Sequence, residues 1–125
     1  MGSTTSRFHE YELPGGWIVL AGKNDADNEY LSLRLARQDD WWFHVRGMPG
    51  SHVILRARPP EEPDRDTLRQ AAAIAAYHSK ARSGGVVPVS CTRARYVTRA
   101  RGEKRGTVEI RKESVLKVRP AIVSD

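Results

Sequence analysis

Apolar and polar positions alternate along the 125-residue chain in a way that divides it into short strands and two helical stretches. Residues 8–13 (FHEYEL) and 17–22 (WIVLAG) are apolar-rich runs separated by Pro14-Gly15-Gly16, and they read as a β-hairpin. Asn24 or Asp25 can cap a helix running to about Arg37, with Leu31 and Leu35, joined by Tyr30 and Leu33, on its buried side. Trp41 to Arg46 is aromatic and β-branched, Gly47-Met48-Pro49-Gly50 turns the chain, and His52 to Ala57 returns as a second strand. Pro59, Pro60 and Pro63, mixed with Glu61, Glu62 and Asp64, make a polar surface connection, since proline is excluded from central strands and helix interiors.

From about Arg65 to Arg82 alanine dominates, and Leu68, Ala71, Ala72, Ala75 and Ser79 recur at helical spacing. This predicts a long helix whose small side chains let it lie close against a sheet, and Gly84-Gly85 ends it. Strands near 86–100, 107–112 and 115–119 follow, the first two joined by the turn-rich stretch Arg101 to Gly106. The order ββαββαβββ predicts an α+β domain, a mostly antiparallel sheet with both helices packed on one face. A single domain over residues 8–120 is expected, with a disordered N-terminal segment 1–7 and a short tail 121–125, because a chain of this length buries one core and not two.

Composition narrows the setting. Hydrophobic residues make up 39% and charged residues 29%, and no apolar run approaches the roughly 18 residues of a membrane helix. Met1 to Ser6 lack the basic start and apolar stretch of a secretory signal, and the lone Cys91 has no internal disulfide partner, so a cytoplasmic location is expected. The net charge of +6 favours a polyanionic partner. Ten basic residues lie between Cys91 and Arg119 (Arg93, Arg95, Arg99, Arg101, Lys104, Arg105, Arg111, Lys112, Lys117, Arg119) against three acidic ones, Glu103, Glu109 and Glu113, leaving the rest of the chain near neutral.

Three segments carry candidate chemistry. In Asp40-Trp41-Trp42-Phe43-His44 and Pro49-Gly50-Ser51-His52, strand pairing across the turn would bring His44 and His52 together with Ser51 and Asp40 nearby. Such a cluster can activate a serine nucleophile, bind a metal, donate hydrogen bonds to phosphate, or simply be structural. No G-x-S-x-G elbow and no H-E-x-x-H helix accompanies it. Lys23, Asn24 and Asn28 sit where a strand gives way to a helix, so backbone N–H groups beside Lys23 can hold a phosphate, although neither Walker A nor G-x-G-x-x-G is present. Along Thr92 to Arg101, a continuous strand would place Arg93, Arg95, Arg99 and Arg101 on one face, a basic track matched to phosphate oxygens. The alternative is a row of solvated edge-strand charges. An exposed Trp41 or Trp42 would add base stacking.

These segments together resemble the NFACT-R domain, found in ribosome-quality-control factors and as short stand-alone proteins. The resemblance is carried by Gly22-Lys23-Asn24 with Asn28 and Leu31, by Asp40-Trp41-Trp42-Phe43-His44-Val45 and Pro49-Gly50-Ser51-His52-Val53-Ile54, and by Ala75-Ala76-Tyr77-His78-Ser79-Lys80-Ala81 and Gly106-Thr107-Val108. Trp41 stands where the family usually has an aliphatic residue, and Arg105 where proline is common. The resemblance implies an RNA-binding module engaging tRNA or ribosomal RNA, with the large ribosomal subunit as a further partner; separately from it, no cofactor, metal or membrane partner is expected. The expected RNA-binding residues are Lys23, Asn24, Asn28, Trp42, His44, Ser51, His52, Arg93, Arg95, Arg99, Arg101, Lys104 and Arg105. Two alternatives stay open: an RNA-modifying or hydrolytic enzyme using the His44/Ser51/His52 pocket, with Cys91 as a further candidate, and a protein-interaction domain docking through hairpin edges.

Overall fold

The computed structural model describes residues 7–101 and 107–122. Lys104 and Arg105, and most of the expected N-terminal segment, lie outside the described residues. Strands β1 (Phe8–Leu13) and β2 (Trp17–Gly22) form the first hairpin, with Leu13 opposite Trp17. Its turn needs positive φ at two successive residues, 90° at Gly15 and 85° at Gly16, which glycine adopts without a Cβ penalty. Helix α1 (Asp25–Tyr30) begins at Asn24, whose Oδ1 accepts the Asp27 N–H at 2.8 Å, and continues as a π-helical turn over Leu31–Leu35. Strands β3 (Trp41–Val45) and β4 (Val53–Leu55) pair antiparallel. Asp64 caps helix α2 (Arg65–Tyr77) by accepting the Thr67 N–H at 2.8 Å. Then come β5 (Val87–Arg93), a 3-10 turn over Ala94–Tyr96, β6 (Val97–Arg99), β7 (Val108–Ile110) and β8 (Ser114–Val118).

Six strands form one sheet in the order β1-β2-β4-β3-β5-β8, with every neighbouring pair antiparallel, while β6 and β7 make a separate hairpin. The fold is α+β with a large antiparallel sheet and two helices. The helices do not share a face, contrary to the expectation. Phe43, Val53, Leu55, Val89 and Cys91 pack with Ala71, Ala72, Ile74, Ala75 and Ala76 of α2. On the other side Phe8, Leu20, Trp42 and Ile54 pack with Leu31 of the π turn and Val97 of β6, backed by Val108 and Ile110. The reason is in the central strands. Every residue of Val53–Leu55 is buried, and a strand apolar at successive positions must be covered on both sides.

Two expected elements end early. Helix α2 stops at Tyr77 rather than Arg82, because the chain beyond it leaves the helix to pair with the turn before β4: Gly50 bridges Ser79, and the Ser51 N–H donates to the His78 carbonyl at 2.9 Å. The strand expected over 86–100 is broken at Ala94–Tyr96, where Ala94 N–H donates to the Asp40 carbonyl at 2.8 Å and Arg95 N–H to Gln38 at 3.3 Å. That break redirects β6 across the α1 face.

Candidate nucleic-acid interface

Three loops that are distant in sequence converge at one end of the sheet: residues 22–28 after β2, residues 49–52 before β4, and residues 78–82 after α2. They line a shallow, open cleft of about 380 Å³ whose lining includes Lys23, Asn24, Ser51, Ser79, Lys80 and Arg82. Backbone and hydroxyl bonds lace the loops together. Ser51 Oγ donates to the Gly22 carbonyl at 2.6 Å, Gly22 N–H donates to the His52 carbonyl at 3.1 Å, and His52 N–H donates to Asn28 Oδ1 at 3.0 Å. Close approach requires glycine at two places. A Cβ on Gly50 would sit 2.8 Å from Ser79 Cβ, and one on Gly22 would overlap the Asn28 carboxamide.

The charge of this cleft is positive. Lys23, Lys80 and Arg82 line it against a single acid, Asp25, and among the described residues neither Lys80 nor Arg82 belongs to an ion pair. Arg82 is instead anchored by its Nε–H on the Tyr77 carbonyl at 2.7 Å, with its guanidinium 4.1 Å from the Tyr77 ring centre. His9 and His78 stack on the cleft wall with ring centres 4.4 Å apart, and His78 Nε2 is hydrogen-bonded to the Tyr11 hydroxyl at 2.5 Å. Burial, then Lys23 and Arg82, hold the His9 pKa below its ordinary value; burial, then His9 and Arg82, bring that of His78 down to about 4. Burial is the larger cause for both imidazoles, and the smaller contributions of Lys23 and Arg82 have the sign expected beside a cluster of cations. The short helix α1 adds nothing to that field: Asn24 already caps it and its first turn carries Asp25 and Asp27.

His44 and His52 do meet, ring centres 5.3 Å apart and nearly perpendicular, with Trp42 5.3 Å from His52 and 6.0 Å from His44. Ser32 Oγ ties the group together, accepting the Trp42 indole N–H at 2.8 Å and sharing a 2.7 Å hydrogen bond with His52 Nδ1. Burial lowers the pKa of both histidines, that of His52 to about 3, so both rings are uncharged at neutral pH. The other expected members of this cluster lie elsewhere. Ser51 follows strand alternation away from the histidines and spends its hydroxyl on Gly22, so no serine–histidine pair forms. Asp40 stands at the far end of β3, accepting from Arg37 N–H at 2.9 Å, Ala57 N–H at 2.8 Å and Arg56 Nη1 at 3.0 Å. Among the described residues no three His, Cys, Asp or Glu side chains gather as a metal site. Cys91 is buried and its thiol is pushed up to about 12, far from a reactive thiolate.

The arginines do not form one track. Arg93 lies over Trp41 with its guanidinium 3.8 Å from the ring centre and bonds the Asp39 carbonyl and Glu62. Arg95 pairs with Asp39, and Arg99 pairs with Glu29 of α1 on the opposite side of the sheet. Arg101 is exposed. The 3-10 turn between Arg93 and Val97 breaks the two-residue alternation on which a single basic face depended. Nor is Trp42 a stacking platform: it is 2% exposed and part of the core. His78, Lys80 and Arg82 were missed as site residues because an unbroken alanine-rich helix was expected to carry them.

Comparison with known proteins shows the family of the chain. Residues 7–112 match the family described as the NFACT protein RNA binding domain. The chain belongs to that family. It is 44% identical over 110 residues to the Rqc2 homolog RqcH of Bacillus subtilis (strain 168), covering 88% of this chain and 19% of the relative. It is 36% identical over 106 residues to the Rqc2 homolog RqcH of Streptococcus suis (strain 05ZYH33), covering 85% and 19%. The solved C-terminal part of the fibronectin/fibrinogen-binding protein from Streptococcus suis superposes with a TM-score of 0.83 at 34% identity, over 90% of this chain and 45% of that one. The chain therefore spans about a fifth of the length of these curated relatives. Of the segments that suggested the family, those holding Lys23, Asn24 and Asn28, Pro49 to Ser51, and His78 to Lys80 contribute to the cleft lining, while Asp40 to Val45 and Thr107-Val108 do not. No helix among the described residues is long and apolar enough to cross a membrane.

Proposed function

We propose that this NFACT RNA-binding domain holds the RNA backbone in the cleft between the loops after β2, before β4 and after α2. Lys23, Lys80 and Arg82 supply the charge, and Asn24 and Ser51 form part of the polar lining. The observation that carries this reading is the convergence of those three cations on one cleft whose own histidines are held neutral. Asn28, His44 and His52 brace or adjoin the cleft. Arg93, Arg95 and Arg99 contribute less, since each must release a carboxylate before it can take a phosphate. tRNA or ribosomal RNA is the proposed ligand, in a role linked to ribosome quality control, supported by the likeness to the Rqc2 homologs. The large ribosomal subunit and a cytoplasmic setting belong to the same proposal.

The test is binding to tRNA and to a generic single-stranded RNA across a salt series. Each lost phosphate contact lowers the slope of log K against log salt by about 0.7 for a single strand. Lys80→Ala/Arg82→Ala is expected to flatten the slope by roughly 1.4 if both residues touch phosphate, and Arg93→Ala/Arg95→Ala by much less. The opposite ranking would move the interface to the arginines. Absence of binding at low salt would defeat the RNA reading and leave a protein partner to be sought.

A further inference from the structure

Beside the basic cleft lies a second cavity of about 550 Å³, and the two share Asp25, Asn28, Pro49 and Gly50 as a common wall. Their linings differ in kind. The second cavity is bounded by Trp42, His44 and His52 on the sheet side and by Thr107, Val108 and Ile110 on the other, with Asp25 its one group carrying a formal charge. Of the three rings, Trp42 and His52 are buried and His44 is half-buried. Ser32 satisfies the Trp42 indole and the His52 Nδ1 from the core side, which fixes those two rings as rigid walls. A ring-lined pocket with a few polar groups and no cation, its one charge the Asp25 carboxylate, disfavours phosphate and suits a planar heteroaromatic.

We propose that an unpaired nucleobase enters this second cavity while its own phosphate lies in the adjoining basic cleft, so that the domain grips a nucleotide splayed out of any helix. The inference rests on the RNA reading above and adds the class of nucleotide to it. A base inside a duplex has both edges and faces occupied and cannot reach such a pocket, whereas single strands, bulges and ends can. The shared wall sets the spacing, because base and phosphate of one nucleotide lie on the two sides of Pro49-Gly50.

The experiment uses the full chain with a short single-stranded RNA and the same strand carrying abasic riboses throughout, each titrated at several salt concentrations. Wild type is expected to bind the intact strand about tenfold or more tightly than the abasic one, the usual scale for one stacked base. His44→Ala should collapse that difference while leaving the salt slope, His44→Phe should keep it, and Lys80→Ala/Arg82→Ala should weaken both strands alike. Thr107→Trp fills the pocket from the opposite wall without touching the apolar core, and it too should abolish the difference even where His44→Ala proves poorly folded. Equal binding of intact and abasic strands with a steep salt slope would overturn the base pocket and leave the phosphate cleft standing. Retention of the full difference in Thr107→Trp would also overturn it. No binding of either strand at low salt would remove both.

Discussion

Gly22→Ala tests whether the cleft depends on backbone packing as closely as its geometry implies. A methyl there would overlap Asn28 Oδ1 and come within 3.0 Å of the Asn28 Cγ and backbone nitrogen. Asn28 is 6% exposed and its carboxamide cannot swing into solvent without cost, since Oδ1 accepts the buried His52 N–H. Moving it leaves that N–H unsatisfied, worth about 1–3 kcal/mol, and forcing extra volume into a packed site adds about 1–3 kcal/mol. The expected loss is therefore about 2–6 kcal/mol. Asn28→Ala alone removes the acceptor without the clash and should cost about 1–3 kcal/mol. Because it also removes the atoms the methyl would meet, Gly22→Ala should cost clearly less in the Asn28→Ala background, so that the pair couples rather than adds. Urea unfolding read at constant m-value measures all four corners of the cycle. A Gly22→Ala loss below about 0.5 kcal/mol, the range of an ordinary surface change, or equal losses in both backgrounds, would refute the argument.

Three further outcomes follow from the same geometry. His52 has its pKa lowered to about 3 against 6.5 when unfolded, so between those values the unfolded chain binds the extra proton. The stability this contributes is complete above pH 6.5 and is lost as pH falls toward 3, at up to about 1.4 kcal/mol per pH unit; urea midpoints from pH 7.5 to 4.5 should show the decline, and His52→Gln should flatten it. RNA in the cleft brings negative charge to His9 and His78, raising both pKa values, so the complex takes up protons and affinity should increase as pH falls from neutrality toward the His78 value of about 4. Calorimetric titrations at pH 6 in buffers of different ionisation enthalpy should then differ in apparent heat, and equal heats would place the phosphate elsewhere. Asp40→Ala leaves the Arg37 and Ala57 N–H groups without their acceptor and Arg56 without its carboxylate, for a loss of about 3–5 kcal/mol by thermal or urea unfolding, with no direct effect on the distant cleft.

Much of this architecture was legible because it is local. The first hairpin follows from Pro14-Gly15-Gly16 between two apolar runs, the start of α1 from Asn24, and α2 from its alanine spacing. His44 and His52 meet because an antiparallel register that pairs Trp42 with Ile54 carries on to them. The failures arose where a distant partner outbid a local preference. Residues 78–82 have helical composition, yet pairing with Gly50-Ser51 takes them out of α2 and makes them a wall of the cleft. Ala94–Tyr96 reads as strand by alternation, yet Asp40 and Gln38 supply carbonyls that bend it. The continuous apolar character of Trp41–Phe43 and Val53–Leu55 did announce a sheet covered on both sides, and reading it that way would have separated the two helices.

The arginines show why a charge count along the chain is a poor guide to a binding surface. Residues 91–119 carry a strong local excess of positive charge, but the carboxylates that answer it come from elsewhere: Glu29 from α1, Asp39 from the loop before β3 and Glu62 from the proline-rich connection. Once folded, three arginines of the most basic segment, Arg93, Arg95 and Arg99, are paired with carboxylates from elsewhere in the chain. The cleft is the converse case. Its cations come from two segments distant in sequence, Lys23 from one and Lys80 and Arg82 from the other, around a third that supplies Gly50 and Ser51, and none of these stretches stands out by charge. What concentrates them is the small residues, Gly22, Gly50 and Ser79, that allow the loops to touch. An anion there meets charges already held near one another by backbone bonds, whereas an anion at Arg95 or Arg99 must first displace a carboxylate. That difference, and not the number of basic residues, is why the salt dependence of RNA binding should follow Lys80 and Arg82.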